Sequence, residues 1–230
     1  MKIVIIILYL SFITGITLSQ DVLSDMEKVR QAYNSASDLS MEVVYSVYSG
    51  NNRTPEKKVT GKYIKQQNRF FKKENEVITI QDGNYMVIVN NKDKWISVHE
   101  PLDVTGENNM NMGIDSMLTM YRSVKYEGMV NNRKKYSLEF EKKPGSLIQK
   151  MDMYINGTNF FVEKLAMYFL ESNNNAGSGN QGKVIIEYKN INTEKISPGV
   201  FNTGKYIART EKHFALKDEY KNFKLIILTD

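Results

Sequence analysis

A run of short alternating segments separated by turn signals most strongly limits the folds open to this chain. Within residues 78–98, ITIQDGNYMVIVNNKDKWISV, the turn signals Asp82-Gly83 and Asn90-Asn91 separate apolar segments in which Ile78 and Ile80 share one parity, as do Tyr85, Val87 and Val89. Period-two alternation is typical of strands with one buried face. Asp-Gly is typical of tight hairpins, because glycine accepts a positive φ at little cost. The stretch therefore predicts three antiparallel strands in a meander.

Similar alternation recurs along most of the chain, and helical periodicity is confined to two places. An apolar stripe from Val22 to Tyr33 predicts a helix over residues 21–37, and a shorter stripe predicts a second helix at 114–123. The turn-rich segment 172–182 is expected to be a hairpin loop. Strands are predicted over residues 39–48, 59–67, 69–73, 77–81, 85–89, 94–98, 125–130, 134–141, 150–155, 159–171, 183–189 and 225–228.

These elements define a β-rich α+β fold. A sheet of many long antiparallel strands has to curl or close, because it must bury one face and protect its edges. The two helices would then cover the concave side of the sheet or plug it. Such an arrangement can enclose either a filled core or an apolar cavity, and the pattern alone leaves both open.

The N-terminus has the pattern of a secretory signal peptide. Lys2 supplies a positive charge, an apolar run follows from Ile3 to Ile16, and Thr17-Leu18-Ser19 brings small residues to a cleavage site. We therefore predict a signal peptide at 1–19, a single exported domain at 20–230, and a periplasmic location. The sequence contains no cysteine, which excludes disulfides, thiolate zinc sites and a cysteine-linked lipid anchor.

Charge and motifs argue against several classes of function. The net charge is +5, but the basic residues are scattered, so nucleic-acid binding is not expected. The two histidines, His99 and His213, stand without a catalytic motif around them. We therefore predict no enzyme, no metal and no cofactor. A hydrolase that depends on His99 or His213 remains the least supported alternative.

Two features favour an apolar cavity, although ordinary core packing would also explain them. Segment 159–171 is apolar on both faces, so that both sides of this strand are expected to be covered. Methionines cluster at 110–120, beside an irregular Asn- and Gly-containing segment. Methionine is flexible and polarizable, and therefore suits a movable lid over a variable apolar ligand such as an acyl chain.

The order and spacing of these segments resemble the LolA-like outer-membrane lipoprotein carriers. A glycine-led strand, TGKYIKQQNRFF, precedes a strand that ends in Asp-Gly, and ISPGVFNTGKY follows late in the chain. The matching residues are Gly61, Tyr63, Lys65, Phe70, Phe71, Asp82, Gly83, Tyr85, Asn90 and Phe201. The resemblance implies a half-open, strongly curved antiparallel β-barrel covered by short helices, with an apolar cavity for the acyl chains of a lipoprotein.

The resemblance also implies partners and site residues. A carrier of this kind would be a monomeric periplasmic chaperone that exchanges lipoprotein or other lipid with an inner-membrane release complex and an outer-membrane acceptor. Family members latch the lid with an arginine, but Gln66 stands nearest that position here and Arg69 follows. This departure leaves a sensor or scaffold module of the same fold as the alternative. The expected cavity or lid contacts are Tyr45, Tyr63, Phe71, Tyr85, Met117, Leu118 and Phe169.

Overall fold

The computed structural model describes residues 17–50, 52–102, 121–141, 148–170, 181–210 and 213–228. Within these ranges the chain forms one α-helix, α1 (Thr17–Ser35), three short 3₁₀ helices and fourteen strands. The strands are β1 (Asp38–Tyr48), β2 (Lys57–Gln66), β3 (Arg69–Glu74), β4 (Val77–Gln81), β5 (Met86–Asn90), β6 (Trp95–His99), β7 (Tyr121–Val130), β8 (Arg133–Phe140), β9 (Ile148–Asn156), β10 (Val162–Leu170), β11 (Gln181–Asn192), β12 (Ile207–Arg209), β13 (Phe214–Leu216) and β14 (Lys224–Leu228).

The β-rich fold predicted from the alternation is confirmed, with two differences in the helices. Helix α1 begins at Thr17 and ends at Ser35, earlier at both ends than the predicted range 21–37. The second predicted helix, 114–123, lies mostly outside the described residues. Its last part, 121–123, belongs to β7, so the prediction is wrong there.

The chain divides into two compact units. The first unit comprises Met1–Ser35, Val47–Glu56 and Met110–Ile186, and the second comprises Ala36–Ser46, Lys57–Asn109 and Glu187–Asp230. Strands β1 and β11 each contribute residues to both units. Whether the mature chain is one domain, as the sequence predicts, stays a prediction.

The second unit is built around the meander that the turn signals predict. Strands β2 to β6 follow one another in the sheet, each antiparallel to the next. Asp82 caps the turn between β4 and β5 by accepting hydrogen bonds from the backbone of Asn84 (2.9 Å) and Tyr85 (3.3 Å). Strand β14 departs from the meander, because it pairs with β6 in parallel, with Lys224 opposite Trp95.

One face of β3–β6 carries the core of this unit, and we call it the covered face. The register aligns Ile80 with Val87 and Val87 with Val98, and all three side chains are at most 1% exposed. Fully burying a side chain of this kind contributes about 1.5–3 kcal/mol. The chain after β11 returns over this face and packs Tyr206, Ile207, Phe214, Leu216, Tyr220, Phe223 and Leu225 against it.

The first unit packs α1 against the sheet of β7–β10. These strands are antiparallel neighbours in chain order. The predicted helical stripe is buried at Val22, Met26 and Val29. Asp25 on the same helix accepts a hydrogen bond from Tyr136 of β8. The sheet residues buried in this unit include Tyr136, Leu138, Met151, Met153 and Ile155.

Candidate functional site

The face of β2–β6 opposite the covered face is the main candidate for ligand contact, and we call it the tyrosine face. The registers place Tyr63, Lys72, Thr79, Ile88 and Ser97 in one row across these five strands. The side chains of this row are half-buried except for that of Ser97, which is buried. The tyrosine face therefore combines aromatic and aliphatic surface with hydroxyl and ammonium groups.

Tyrosine side chains on this face and beside it lie in surroundings that disfavour charge. Burial raises the pKa of Tyr63, and burial together with the neighbouring Glu74 carboxylate raises the pKa of Tyr45 to about 12. Tyr188 of β11 lies near Tyr45, and burial raises its pKa as well. Burial lowers the pKa of Lys65, as expected for an ammonium group removed from water. These phenols therefore stay neutral at physiological pH.

The structure separates the predicted cavity contacts. Tyr63 belongs to the tyrosine face, and Tyr45 of β1 lies beside it, since Tyr45 interacts with Glu74, whose register partners are Gly61 and Val77. Phe71 and Tyr85 instead pack against the core of the covered face. The Tyr85 ring lies 5.1 Å from Phe214 in an edge-to-face contact and 4.9 Å from the guanidinium of Arg209.

The remaining predicted contacts lie elsewhere. Phe169 is half-buried in β10 of the first unit, and its register partner is Ile148 of β9. Met117 and Leu118 lie outside the described residues. The lipid-contact role of all seven residues stays a prediction. Sequence reasoning missed Ile88 on the tyrosine face and Tyr188 near Tyr45. The alternation of Val184, Ile186 and Tyr188 was a signal for Tyr188, whereas the continuous apolar run MVIV gave none for Ile88.

The predicted latch residues, Gln66 and Arg69, contact each other within the second unit. The Gln66 side-chain nitrogen donates to Asp38 Oδ1 (2.6 Å) and to the carbonyl oxygen of Ile196 (3.2 Å). Arg69 Nη2 donates to Gln66 Oε1 (2.7 Å), and its guanidinium lies 5.4 Å from the ring centre of Phe201. The two residues thus connect the starts of β1 and β3 to the segment that follows β11.

A serine–histidine contact lies at the end of β6. Ser97 Oγ and His99 Nε2 are 2.8 Å apart, but within the described ranges no carboxylate forms a hydrogen bond with the His99 ring. A base in a nucleophilic mechanism is oriented by a third group, which this contact lacks among those residues. His213 is exposed, and its backbone binds Thr210. In the same described ranges, no three His, Asp or Glu side chains are placed to hold a metal ion.

Comparisons with known proteins give structural neighbours only. No protein-family model matches the sequence, and the search of curated proteins found no match. The structure is similar to an uncharacterised conserved protein from Thermus thermophilus, with 9% identity, a TM-score of 0.48, and 90% of this chain and 99% of that chain covered.

Two further neighbours bear on the predicted resemblance. A LolA superfamily protein from Nitrosomonas europaea has 12% identity and a TM-score of 0.33, with 79% of this chain and 97% of that chain covered. A protein described as an outer membrane lipoprotein-sorting domain, from Vibrio parahaemolyticus, has 7% identity and a TM-score of 0.35, with 79% and 96% covered. The names of these two neighbours are those of the class that the sequence resembles, and at such identities and TM-scores they say nothing of the activity of this chain.

No helix in the described part of the chain is long and apolar enough to cross a bilayer.

Proposed function

We propose that this protein is a periplasmic carrier that binds the acyl chains of lipoproteins and moves them towards the outer membrane. The observation that carries the proposal is the tyrosine face. Tyr63, Thr79 and Ile88 are half-buried there, and burial keeps the phenol of Tyr63 neutral. The opposite face of the same strands is filled by the C-terminal segment. A half-buried wall of ring and aliphatic surface, on which the charges of Lys72 and Glu74 pair with each other (3.1 Å), suits an apolar chain that must enter and leave.

The energetics of acyl binding fit a carrier. Each methylene group removed from water contributes about 0.8 kcal/mol, so partial burial of one chain already gives reversible binding. Tyr63 and Tyr45 would offer ring surface to the chain while their hydroxyl groups stay towards polar neighbours. The half-open, strongly curved barrel with covering helices is the finer architecture that we propose for this role.

The other parts of the proposal follow from the sequence. Export by a cleaved signal peptide at 1–19 would deliver the chain to the periplasm. We propose that it acts there as a monomer without a cofactor or enzymatic activity, and that it meets an inner-membrane release complex and an outer-membrane acceptor. Met117, Leu118 and Phe169 are further residues that we propose to contact the cargo.

The test is extraction of a lipoprotein from inner-membrane vesicles by the purified mature protein, with mass spectrometry of what the protein retains. We expect the wild type to extract lipidated cargo and Ile88→Glu to extract much less, because the new carboxylate would lie against the acyl chain. Ile227→Glu is the matched control, since Ile227 is 48% exposed on β14. Absence of lipid and of extraction in the wild type would contradict the proposal.

A second candidate, a lipid- or protein-binding sensor or scaffold module, is favoured by the contacts of Gln66. This side chain occupies the position of the family's latch, yet it binds Asp38 and Ile196 within its own unit. A fixed contact of this kind suits a module that presents a constant surface to a protein partner. Recovery of one membrane regulator in a pull-down, without lipidated cargo, would favour this candidate over the carrier.

A further inference from the structure

A polar cavity in the second unit lies apart from the predicted acyl contacts. It has a volume of about 520 Å³, within the usual range for small-molecule sites. Of the predicted cavity or lid residues that the structure describes, none lines it. Its lining comes from β1, β2, the end of β3 and β11, and consists of Ser40, Met41, Glu42, Thr60, Gly61, Lys62, Lys73, Asn75, Asn190 and Asn192.

Two lysines face each other directly in this cavity. Lys62 of β2 and Lys73 of β3 are register partners, and both line the cavity. Side chains directly opposite in an antiparallel pair have Cβ atoms about 4.5–5.5 Å apart, and like charges there destabilise the sheet. Neither lysine forms an ion pair with another residue of the described ranges. An anion bound between the ammonium groups of Lys62 and Lys73 would offset the repulsion between these two charges.

The remaining polar groups of the cavity suit hydroxyl groups on the same ligand. Ser40 and Thr60 supply hydroxyls, and Asn75, Asn190 and Asn192 supply amides that both donate and accept hydrogen bonds. Glu42 adds an acceptor without a donor, which favours a ligand that carries hydroxyl groups beside its anion. Among the described lining residues Met41 alone has a fully apolar side chain, so an acyl chain would find little to bind there.

We propose that this cavity binds a small organic phosphate that carries hydroxyl groups, of the chemistry found in a glycerophosphate. The phosphate lies between the ammonium groups of Lys62 and Lys73, and the hydroxyl groups reach Glu42 and the asparagine amides. Such a group occurs both as a free phosphate ester and as the head group of an anionic phospholipid. The proposal does not rest on acyl binding, because it uses a different set of side chains.

Titration of the mature protein with glycerol 3-phosphate, followed by calorimetry, tests the site. We expect saturable binding that the double variant Lys62→Gln/Lys73→Gln weakens at least about tenfold, since both charge-assisted contacts are lost. Lys57→Gln/Lys58→Gln is the matched control. It also removes two exposed lysines, both from β2 and both outside the cavity, and we expect it to leave the affinity for glycerol 3-phosphate unchanged. Glu42→Gln is expected to tighten the binding of inorganic phosphate, because a like charge is removed.

Vesicles distinguish the two sources of the phosphate. Binding to phosphatidylglycerol-containing vesicles that free glycerol 3-phosphate competes away, and that phosphatidylcholine vesicles do not show, assigns the site to a lipid head group. Saturable glycerol 3-phosphate binding without vesicle binding assigns it to a soluble ester. The proposal is overturned if glycerol 3-phosphate does not bind saturably, or if both double variants weaken binding equally, which would indicate general charge attraction. Circular dichroism of each variant checks that it is folded.

Discussion

The side-chain nitrogen of Gln66 donates a 2.6 Å hydrogen bond to Oδ1 of Asp38, 28 residues earlier in the chain. The same nitrogen donates to the carbonyl of Ile196, and the side-chain oxygen accepts from Arg69. An amide can do this because it carries a donor and an acceptor on one planar group. Gln66 therefore serves as a junction between three segments of the second unit that are distant in sequence.

Replacement of Gln66 by leucine is expected to destabilise the protein. The change keeps a side chain of similar size but removes all three hydrogen bonds, and it leaves Asp38 Oδ1 with one donor fewer. At about 0.5–1.5 kcal/mol for each bond, we expect the free energy of unfolding to fall by about 1–3 kcal/mol. Urea denaturation measures this change in the free energy of unfolding. Gln31→Leu, on the exposed side of α1, is the control and should change the value by less than about 0.5 kcal/mol.

Replacement of Gln66 by arginine tests whether the family's residue is compatible with this position. A guanidinium can still donate to Asp38, now as a charge-assisted bond, but it meets the guanidinium of Arg69 where an acceptor stood. We expect the arginine variant to lose less unfolding free energy than the leucine variant. If the arginine variant proves the less stable of the two, repulsion from Arg69 outweighs the bond to Asp38.

Gly61 is required by a close approach of two strands. A Cβ atom at this position would lie 2.9 Å from the backbone oxygen of Lys73 and 2.9 Å from Glu74 Cγ. The backbone cannot move aside without disturbing the β2–β3 pairing, so Gly61→Ala is expected to cost about 1–3 kcal/mol of unfolding free energy. Gly199→Ala is the control, because its nearest neighbour, Ser197 Oγ, is 3.8 Å away. Equal stability of the two variants would contradict this explanation.

Local patterns were sufficient to predict the strands of the meander. The bounds of β4, Val77–Gln81, agree with the predicted range, and the Asp82-Gly83 turn signal directly follows the last residue of this strand. The stripe of α1 was equally readable, since Val22, Met26 and Val29 recur at helical spacing and are all buried. In these places the chemistry of neighbouring residues determines the structure, and no distant contact overrides it.

Long-range pairing was not contained in the local pattern. In β1 the buried positions are Leu39, Met41 and Val43 and then Val44 and Ser46, so the alternation shifts by one residue where the sequence predicted a constant face. Strand β14 was predicted as a strand, but its parallel pairing with β6 depends on the path of the preceding chain. Neither feature leaves a signal in the residues that carry it.

The absence of long-range information from local patterns also explains why the predicted contact residues lie on opposite faces of the sheet. Alternation correctly placed Ile78 and Ile80 on one face, with Val87 and Val89 beside them, but it does not state what covers that face. The cover comes from residues far along the chain, such as Ile207. Phe71 and Tyr85 were therefore indistinguishable from Tyr63 by sequence, although they pack against the core and Tyr63 lies on the opposite face.

Asp82 connects this cover to the hairpin turn. Besides the turn bonds, it accepts a hydrogen bond from Thr203 Oγ1 in the C-terminal segment. Thr203→Val removes only that donor and is expected to lower the free energy of unfolding by about 1.5–3 kcal/mol, the usual value for a bond to a charged group. Asp82→Ala removes the turn bonds as well and should cost more. The order of the two variants in urea denaturation, with Thr54→Val in an exposed loop as the control, checks both contributions.

The contact between α1 and its sheet is expected to weaken in acid. Asp25 is 3% exposed, and Lys134 Nζ donates to it over 2.6 Å while Tyr136 donates from the buried side. Burial alone would raise the pKa of Asp25, but the hydrogen bonds from Lys134 and Tyr136 outweigh it, so the pKa lies below its usual value. A carboxyl whose folded pKa is lowered contributes its stability above the unfolded value, about 3.9, and loses it as the pH falls through the folded pKa.

Asp25→Asn is therefore expected to cost most at neutral pH. At pH 7 the variant should lose about 2–4 kcal/mol of unfolding free energy, because the ammonium of Lys134 and the phenol of Tyr136 lose a charged acceptor at a buried position. Below the unfolded value of about 3.9 the difference from the wild type should shrink, because the wild type loses the stability of its charged carboxyl as the pH falls through the lowered folded pKa. Asp218→Asn, at an exposed carboxyl, is the control. A difference that stays constant from neutral pH to strong acid would mean that Asp25 stabilises α1 by its shape and not by its charge.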